Sequence, residues 1–446
     1  MSTVAIADGP LEGGPTLRQM LALWVPLAAS IVMMVLEPSI INVGLGRTAD
    51  PELALAAYGV AFSLALLVEA PIIMLLDASV ARSTDRQAFG LLRRFTLALG
   101  LLVTAIGLVV SLTPLYTLLV ERVMNIPPDV AARARPTLQI LSFWPLPIAW
   151  RRAHQGVLIR ARRTAIITAA TAVRLLTLTG ALIGGLLLLP ERGALVAGIA
   201  MDFSVTVEAV VVTWATRRVL RADHSQEMSL TLRELWRFYR PLLATSVLRQ
   251  ASRPLLNAGI AATALARGSL AAWPVGWGFV ILIAGPAWSL QQLTTALATD
   301  EAAYRQIQRF ALALSAVFAL LLCLVAFTPL YDLVLGGVYN LSPDLRDLAR
   351  PAMQLMTIYP LLMGAQSLLR GVLIRRGCTR SVRSAMAVNA STLALTLLAG
   401  VTLFAPTGIM LAALATLAGA AAELAWLRWR ARCEAAQLSP TAIVQK

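Results

Sequence analysis

The sequence predicts an all-α polytopic membrane protein whose twelve crossing helices form two parallel six-helix repeats. Three observations predict it. The 446 residues are 58% hydrophobic and 14% charged, with a mean hydropathy of +0.74, far more apolar than an ordinary soluble domain. Apolar runs of membrane-spanning length recur from Leu17 to Trp429, separated by short arginine-bearing connections. The second half of the chain repeats the first at a constant displacement of 215 residues. The period-2 alternation of an outer-membrane barrel is absent from the sequence.

Along the chain, the apolar runs place spans at 18–46, 53–80, 88–114, 130–159, 163–188, 192–219, 233–263, 270–298, 304–329, 346–375, 380–404 and 406–431. Residues 1–16 hold no basic residue and no apolar core, which fits a cytoplasmic tail and not a cleaved signal peptide. The repeats then occupy 17–219 and 232–432, joined by a linker at 220–231 and followed by a second cytoplasmic tail at 433–446. Pro38, Pro71, Pro145, Pro254, Pro274, Pro286 and Pro360 fall inside spans and are candidate hinges. A proline frees a backbone carbonyl, which is tolerated at membrane depth where it faces protein or a cavity.

The repeat is explicit. "TPLYTLLVERVMNIPPDVAARARPTLQILSFWPL" at 113–146 matches "TPLYDLVLGGVYNLSPDLRDLARPAMQLMTIYPL" at 328–361, and "GVLIR" at 156–160 recurs at 371–375. Thr84-Asp85, Pro26, Pro71, Glu208 and Trp214 find Thr299-Asp300, Pro241, Pro286, Glu423 and Trp429 in the same register. An even number of spans per half gives both halves one orientation, with any central site between them. Arginine sets the direction: Arg82, Arg86, Arg93, Arg160, Arg217, Arg305, Arg375, Arg380 and others crowd the even-numbered loops. Both termini are therefore expected in the cytoplasm, in the inner or plasma membrane of a cell.

Net charge is +15, but it lies in short loops between apolar spans, which speaks for membrane topology over nucleic-acid binding. Cys323, Cys378 and Cys433 are scattered, and with His154 and His224 as the only histidines no metal or cofactor site is expected. No phosphate-binding glycine loop and no catalytic serine or cysteine constellation is present, so no enzyme is expected, and any pumping draws on an ion gradient or a partner ATPase.

Charges inside spans cost about 2.5–3.5 kcal/mol each to insert and therefore mark candidate sites. Arg249 and Arg253 are four residues apart, on one face of the seventh span, and Pro254 leaves a free carbonyl beside them. They read either as an anion-binding face between the halves or as a structural pair with Glu37, which the repeat sets almost opposite Arg253. Arg151, Arg152, Arg174 and Arg370 add buried cationic groups, although Arg151 and Arg152 could snorkel towards the cytoplasmic end. His154 reads more readily as a packed residue than as a proton carrier. Glu37, Glu69, Asp77 and Asp202 are the candidates for a coupling proton or sodium ion. Glu208 and Glu423, repeat mates beside Trp214 and Trp429, read as structural groups near the cytoplasmic interface.

The order of several stretches resembles the progressive ankylosis protein family, within the multidrug and toxic compound extrusion (MATE) and polysaccharide-flippase superfamily. They are "VPLAAS" (25–30), "LAAYGVAFSL" (55–64), "FWPLPIAWRRAHQGVL" (143–158), "ASRPLLN" (251–257) and "WPVGWG" (273–278), spread from the first span to the eighth. The resemblance implies a MATE-like fold and export of multivalent anions such as citrate, ATP or other nucleotides, or pyrophosphate. It points to Ser252, Arg253, Pro254 and Asn257, with Asn42 and Gly44 on the first span. Asn42-Val43-Gly44 stands where the animal members have Asn-Arg-Gly.

The expected function is thus secondary active transport of a small anion by alternating access, by a monomer in the bilayer. A MATE-type drug–cation antiporter using the carboxylates, a flippase for an anionic lipid-linked saccharide, and a non-transporting membrane scaffold are the alternatives.

Overall fold

The computed structural model describes residues 15–83, 86–161, 163–222, 231–376, 378–404 and 407–437. The Thr84-Asp85 pair, most of the two tails and most of the linker lie outside the described residues. Among the described residues the chain forms helices and no strands. Ten helical units are long and apolar enough to cross a membrane. Two further rods of crossing length, Pro128–Leu141 continued by Pro145–Arg160 and Leu232–Ala261, are the fourth and seventh spans. These two are the spans in which Arg151, Arg152 and His154, or Arg249 and Arg253, dilute the apolar stretch. The chain is a multi-pass membrane protein.

The lipid-facing sides follow from burial. On the third span (Arg86–Leu112), Leu97, Leu101, Leu102, Ile106 and Val109 are exposed, while Thr96, Gly100, Thr104, Gly107 and Ser111 face the interior. Large apolar groups outside and small or weakly polar ones inside is the arrangement that membrane helices use to pack closely. The ninth span (Glu301–Phe327) repeats it, with Leu312, Val317, Leu321 and Leu324 outside and Ala311, Ser315 and Ala319 inside.

The two halves carry the same local devices 215 residues apart. The first span (Leu17–Leu45) opens on a Thr16–Gln19 capping box and the seventh on a Thr231–Glu234 capping box, each satisfying the first free amides of its helix. π-helical turns at Leu118–Val123 and Leu333–Val338 lead into Asn125 and Asn340, whose φ values of 53° and 55° place them in the left-handed region. The Tyr116 and Tyr331 hydroxyls donate to the carbonyls of Ala131 and Arg346, at 2.6 Å in both cases.

Prolines break the spans at matched places. The second span (Pro51–Ile73, then Leu75–Arg82) is interrupted just after Pro71, and the eighth (Ala266–Ala284, then Leu290–Leu297) at the 3-10 turn Gly285–Ser289 that holds Pro286. The fourth and tenth spans break just before Pro145 and Pro360. Pro38, Pro254 and Pro274 lie within continuous helix. Carbonyls near the second-span break are used: Ala70 accepts from the Ser246 hydroxyl at 2.6 Å and Pro71 from the Tyr239 hydroxyl.

The halves interlock. The first span packs on the eighth, and the seventh packs on the second. Asn42 donates to the carbonyl of Pro274 at 3.0 Å, and its repeat mate Asn257 donates to the carbonyl of Gly59, the mate of Pro274, at 3.3 Å. Asn257 also reaches the Ser63 hydroxyl at 2.8 Å. At the odd-loop end, Arg267 of the second half joins Asp50, Glu52 and Asp129 of the first, with N–O distances of 3.0, 3.4 and 3.1 Å. Beside it the Asn340 amide donates to the Gly46 carbonyl at 2.6 Å, and a Cβ on Gly46 would lie 1.9 Å from the Tyr339 oxygen. That end is sealed.

Candidate functional site

The charged side chains that the apolar spans carry converge at mid-depth in the first half. Arg151 and Gln155 are one turn apart on the fourth span. Thr171 and Arg174 are one turn apart on the fifth (Thr164–Leu188), and Glu208 sits midway along the sixth (Gly193–Ala222). Glu208 accepts from Arg151, from Gln155 at 3.3 Å and from Thr171 at 3.2 Å, with Arg174 Nε 3.5 Å away. Arg174 donates its other end to Glu37 Oε2 on the first span. Donors on both oxygens offset the cost of holding the fully buried Glu208 carboxylate in a low-dielectric interior.

Nearby, Arg152 lies 4.0 Å from Glu69 of the second span and donates to the carbonyl of Ile73 at 3.1 Å, close to the helix break. Arg253 is within electrostatic reach of the same Glu69, and Asp77 of Arg152. Glu37 Oε1 and the Tyr58 hydroxyl are loose ends, as are the Nε atoms of Arg151, Arg152 and Arg174. Glu37 and Tyr58 are buried, at 6% and 4% exposure, and none of these atoms has a hydrogen-bond partner among the described residues.

The second half keeps a reduced version. Glu423, the mate of Glu208, accepts from Arg370 Nε and from Asn389 Nδ2, both at 2.9 Å. Here the arginine has moved one turn along the helix, because Arg370 is the mate of Gln155 and Gln366 is the mate of Arg151. Gln366 donates to the carbonyl of Ala420 at 2.7 Å. Asn389 stands in place of Arg174 and Ser252 in place of Glu37, so the second half lacks that ion pair altogether.

Three expectations change. Glu37 pairs with Arg174, because the fifth span brings a guanidinium to the first span from within the same half. Arg151 and Arg152 do not snorkel, since each has a carboxylate partner at its own depth. Glu208 and Glu423 sit in the middle of 30-residue helices and not near the interface, because their arginine partners lie there. Asn42 and Asn257, expected at the substrate, tie the halves together. Ser252 is half-buried, Asp77 is exposed and Asp202 is half-buried with Oδ1 unpartnered among the described residues. The backbone of Arg249 lies in the seventh span, but its side chain is outside the described residues. Sequence reasoning missed Gln155, Thr171, Asn389 and the Arg267 cluster. The constant displacement flags Asn389 as the mate of Arg174, whereas nothing in the spacing brings Arg267 to Asp129.

Two interlocked six-helix halves, sealed at one end and holding ion pairs at mid-depth, define a two-bundle membrane architecture. The same architecture is found in solved structures of transporters of the MOP superfamily. An inward-facing multidrug-resistance MATE family transporter superposes with a TM-score of 0.72 at 14% identity, covering 93% of this chain and 99% of its own. The lipid II flippase MurJ in an inward closed conformation gives 0.68 at 11% identity, over 93% and 87%. A MOP superfamily transporter from Pyrococcus furiosus, described as having a binding pocket of reverse polarity that suggests a different function, gives 0.63 at 13%, over 92% and 95%. The sequence matches no family model and no curated protein. The chain has the MATE fold.

Proposed function

We propose that this chain is a secondary active transporter that exports a small multivalent anion by alternating access, in the manner implied by its resemblance to the progressive ankylosis family. The observation that carries the reading is the position of Arg253. It is an exposed arginine on the 30-residue seventh span, eight residues from the far end and so about 12 Å inside it. Facing lipid at such depth costs a few kcal/mol, so an aqueous space at the seam between the halves is the better host. Arg152, about one-fifth exposed, and Arg253 act on the same carboxylate, Glu69. Citrate, nucleotides and pyrophosphate are the substrates this pair, with Arg249, suits; Arg151, Arg174 and Arg370 position them by holding the buried carboxylates. The sealed Arg267 end faces the outside on the positive-inside orientation, with both termini in the cytoplasm.

One observation favours a second reading. Among the described residues Glu37 Oε1, near Tyr58, has no hydrogen-bond partner, as befits a carboxylate that takes up and releases a proton or binds sodium, with Glu69, Asp77 and Asp202 as further candidates. That chemistry serves an anion exporter, and equally a MATE-type antiporter of cationic drugs. Flux in proteoliposomes separates them: citrate, ATP and pyrophosphate against a cationic dye, in wild type and Arg253→Ala. The proposal expects an anion to move and the folded variant to lose that flux. Dye transport that survives Arg253→Ala would make the protein a drug exporter instead.

A further inference from the structure

The second half contains a groove that the first half has filled. It is a cavity of about 700 Å³ at the arginine-rich end, between the ninth, tenth and twelfth spans, and it lies apart from the ion pairs described above. Its wall is apolar, from Leu312, Leu368, Leu369 and Val372, and its rim carries Arg375, Arg376, Arg428 and Arg432. The duplication supplies an internal control. In the first half the corresponding space is occupied by aromatic rings: Trp150 lies 4.8 Å from the His154 ring, Phe89 5.2 Å from it, and the Trp150 indole donates to Thr213 at 2.9 Å. The mates of Trp150, His154 and Phe89 are Ala365, Leu369 and Tyr304; the opening comes from Ala365, a methyl in place of the indole, beside which Leu369 and Tyr304 form the wall. The mates of Ala161 and Thr213 are Arg376 and Arg428, which make it cationic. Only Arg375 and Arg432 have arginine mates, Arg160 and Arg217.

The charges are available. Asp300 and Glu301 also line the groove, but Asp300 caps the ninth span through the Ala303 amide at 2.7 Å and Glu301 lies 4.0 Å from Arg305. Arg375 donates to the carbonyls of Thr295 and Ala296, at 2.9 and 3.0 Å. Arg376, Arg428 and Arg432 make no ion pair among the described residues. Arg376 and Arg428 line the same groove as Tyr304, on whose hydroxyl both act, together with Glu301.

We propose that this groove binds an anionic phospholipid of the leaflet at the arginine-rich end. Arg376 and Arg428 hold the headgroup phosphate, and an acyl chain lies along Leu368 and Leu369. Charge and shape agree: a phosphate suits guanidinium donors, the wall suits hydrocarbon, and the depth, at the ends of the tenth and twelfth spans, is that of headgroups. A soluble anion has no use for the wall.

The test is native mass spectrometry of the full chain in neutral detergent, titrated with dioleoyl phosphatidylglycerol, dioleoyl phosphatidylcholine or inorganic phosphate. Wild type is expected to prefer phosphatidylglycerol. Arg376→Ala with Arg428→Thr, which installs the residues of the first half, is expected to cost roughly an order of magnitude in that affinity and leave phosphatidylcholine unchanged. Ala365→Trp is expected to weaken both lipids. Arg309→Ala, at the same end but outside the groove, is expected to change neither. The proposal fails if the double variant keeps the preference, if Arg309→Ala abolishes it equally, or if inorganic phosphate displaces the lipid at comparable concentration. Arg376 and Arg428 are exposed, so their replacement leaves the fold intact, and coincident thermal unfolding of variant and wild type checks this.

Discussion

Replacing Arg174 by Asn should unfold the protein readily, and replacing Glu37 by Ser as well should largely restore it. Arg174 is 6% exposed and is the ion-pair partner of Glu37, which is equally buried. Arg174→Asn therefore leaves an uncompensated carboxylate in the interior, a loss of about 3–5 kcal/mol. Glu37→Ser alone is milder, about 1–3 kcal/mol, because Arg174 keeps Glu208 within 3.5 Å. In the double variant no charge is stranded, since Glu208 retains Arg151, Gln155 and Thr171. The second half already has this composition, with Ser252 and Asn389 at the mated positions and Asn389 bonded to Glu423. A double-mutant cycle, read by reversible denaturant unfolding in detergent, should show a coupling energy of about 3–6 kcal/mol, the summed single losses less the roughly 1–2 kcal/mol that the double variant still costs. Losses that simply add, to within about 0.5 kcal/mol, would refute the claim that the two charges are retained for one another.

Four further outcomes follow from the same contacts. Arg370→Ala should cost about 3–5 kcal/mol, because Glu423 is then left with the neutral Asn389; Arg370→Ala with Glu423→Gln should recover most of it in the same unfolding assay. Asn257→Ala should destabilise more than Asn42→Ala, by about 1 kcal/mol, because Asn257 makes two bonds across the seam and Asn42 one. Arg267→Ala should increase opening at the odd-loop end, read by distances between spin labels at the exposed positions Ala49 and Ala264. Its three partners are exposed, so the population shift should stay within about tenfold. The Ala303 amide holds the Asp300 carboxyl below the usual carboxylate range. Its contribution to the start of the ninth span is therefore present above the unfolded-state pKa and lost as pH falls through the folded-state one. Asp300→Asn should flatten that part of the acid-unfolding profile.

The fold was legible because its two signals are long-range averages. Twelve apolar runs and a constant displacement survive any uncertainty at the ends, and four of the in-span prolines, Pro71, Pro145, Pro286 and Pro360, do mark breaks, while Pro38, Pro254 and Pro274 are carried within continuous helix. The buried charges were legible as a set, since an arginine in an apolar run is conspicuous. Their partners were not. Which carboxylate faces Arg174 depends on the rotation of the fifth span about its axis, and a helix with small and apolar residues all round leaves that rotation unspecified. The resemblance singled out Asn42 and Asn257 for the substrate; in the structure each donates its amide to a carbonyl of the opposite half, a contact that no spacing in the sequence indicates.

The duplication lets the two halves act as controls for one another. Scaffold devices are kept in both: the capping boxes, the left-handed asparagines, the tyrosine bonds and a glutamate on the sixth or twelfth span with an arginine beside it. What folding requires is present twice. What is present once is free of that requirement, and the single-copy features segregate: the Glu37–Arg174 pair and Glu69 in the first half, the open cationic groove in the second. A buried ion pair stabilises a protein little better than well-packed neutral residues do. Since Ser252 and Asn389 show that this architecture closes without the pair, stability alone does not account for Glu37 and Arg174. This agrees with the coupling role proposed above for Glu37, which has one oxygen bonded to Arg174 and the other without a hydrogen-bond partner among the described residues.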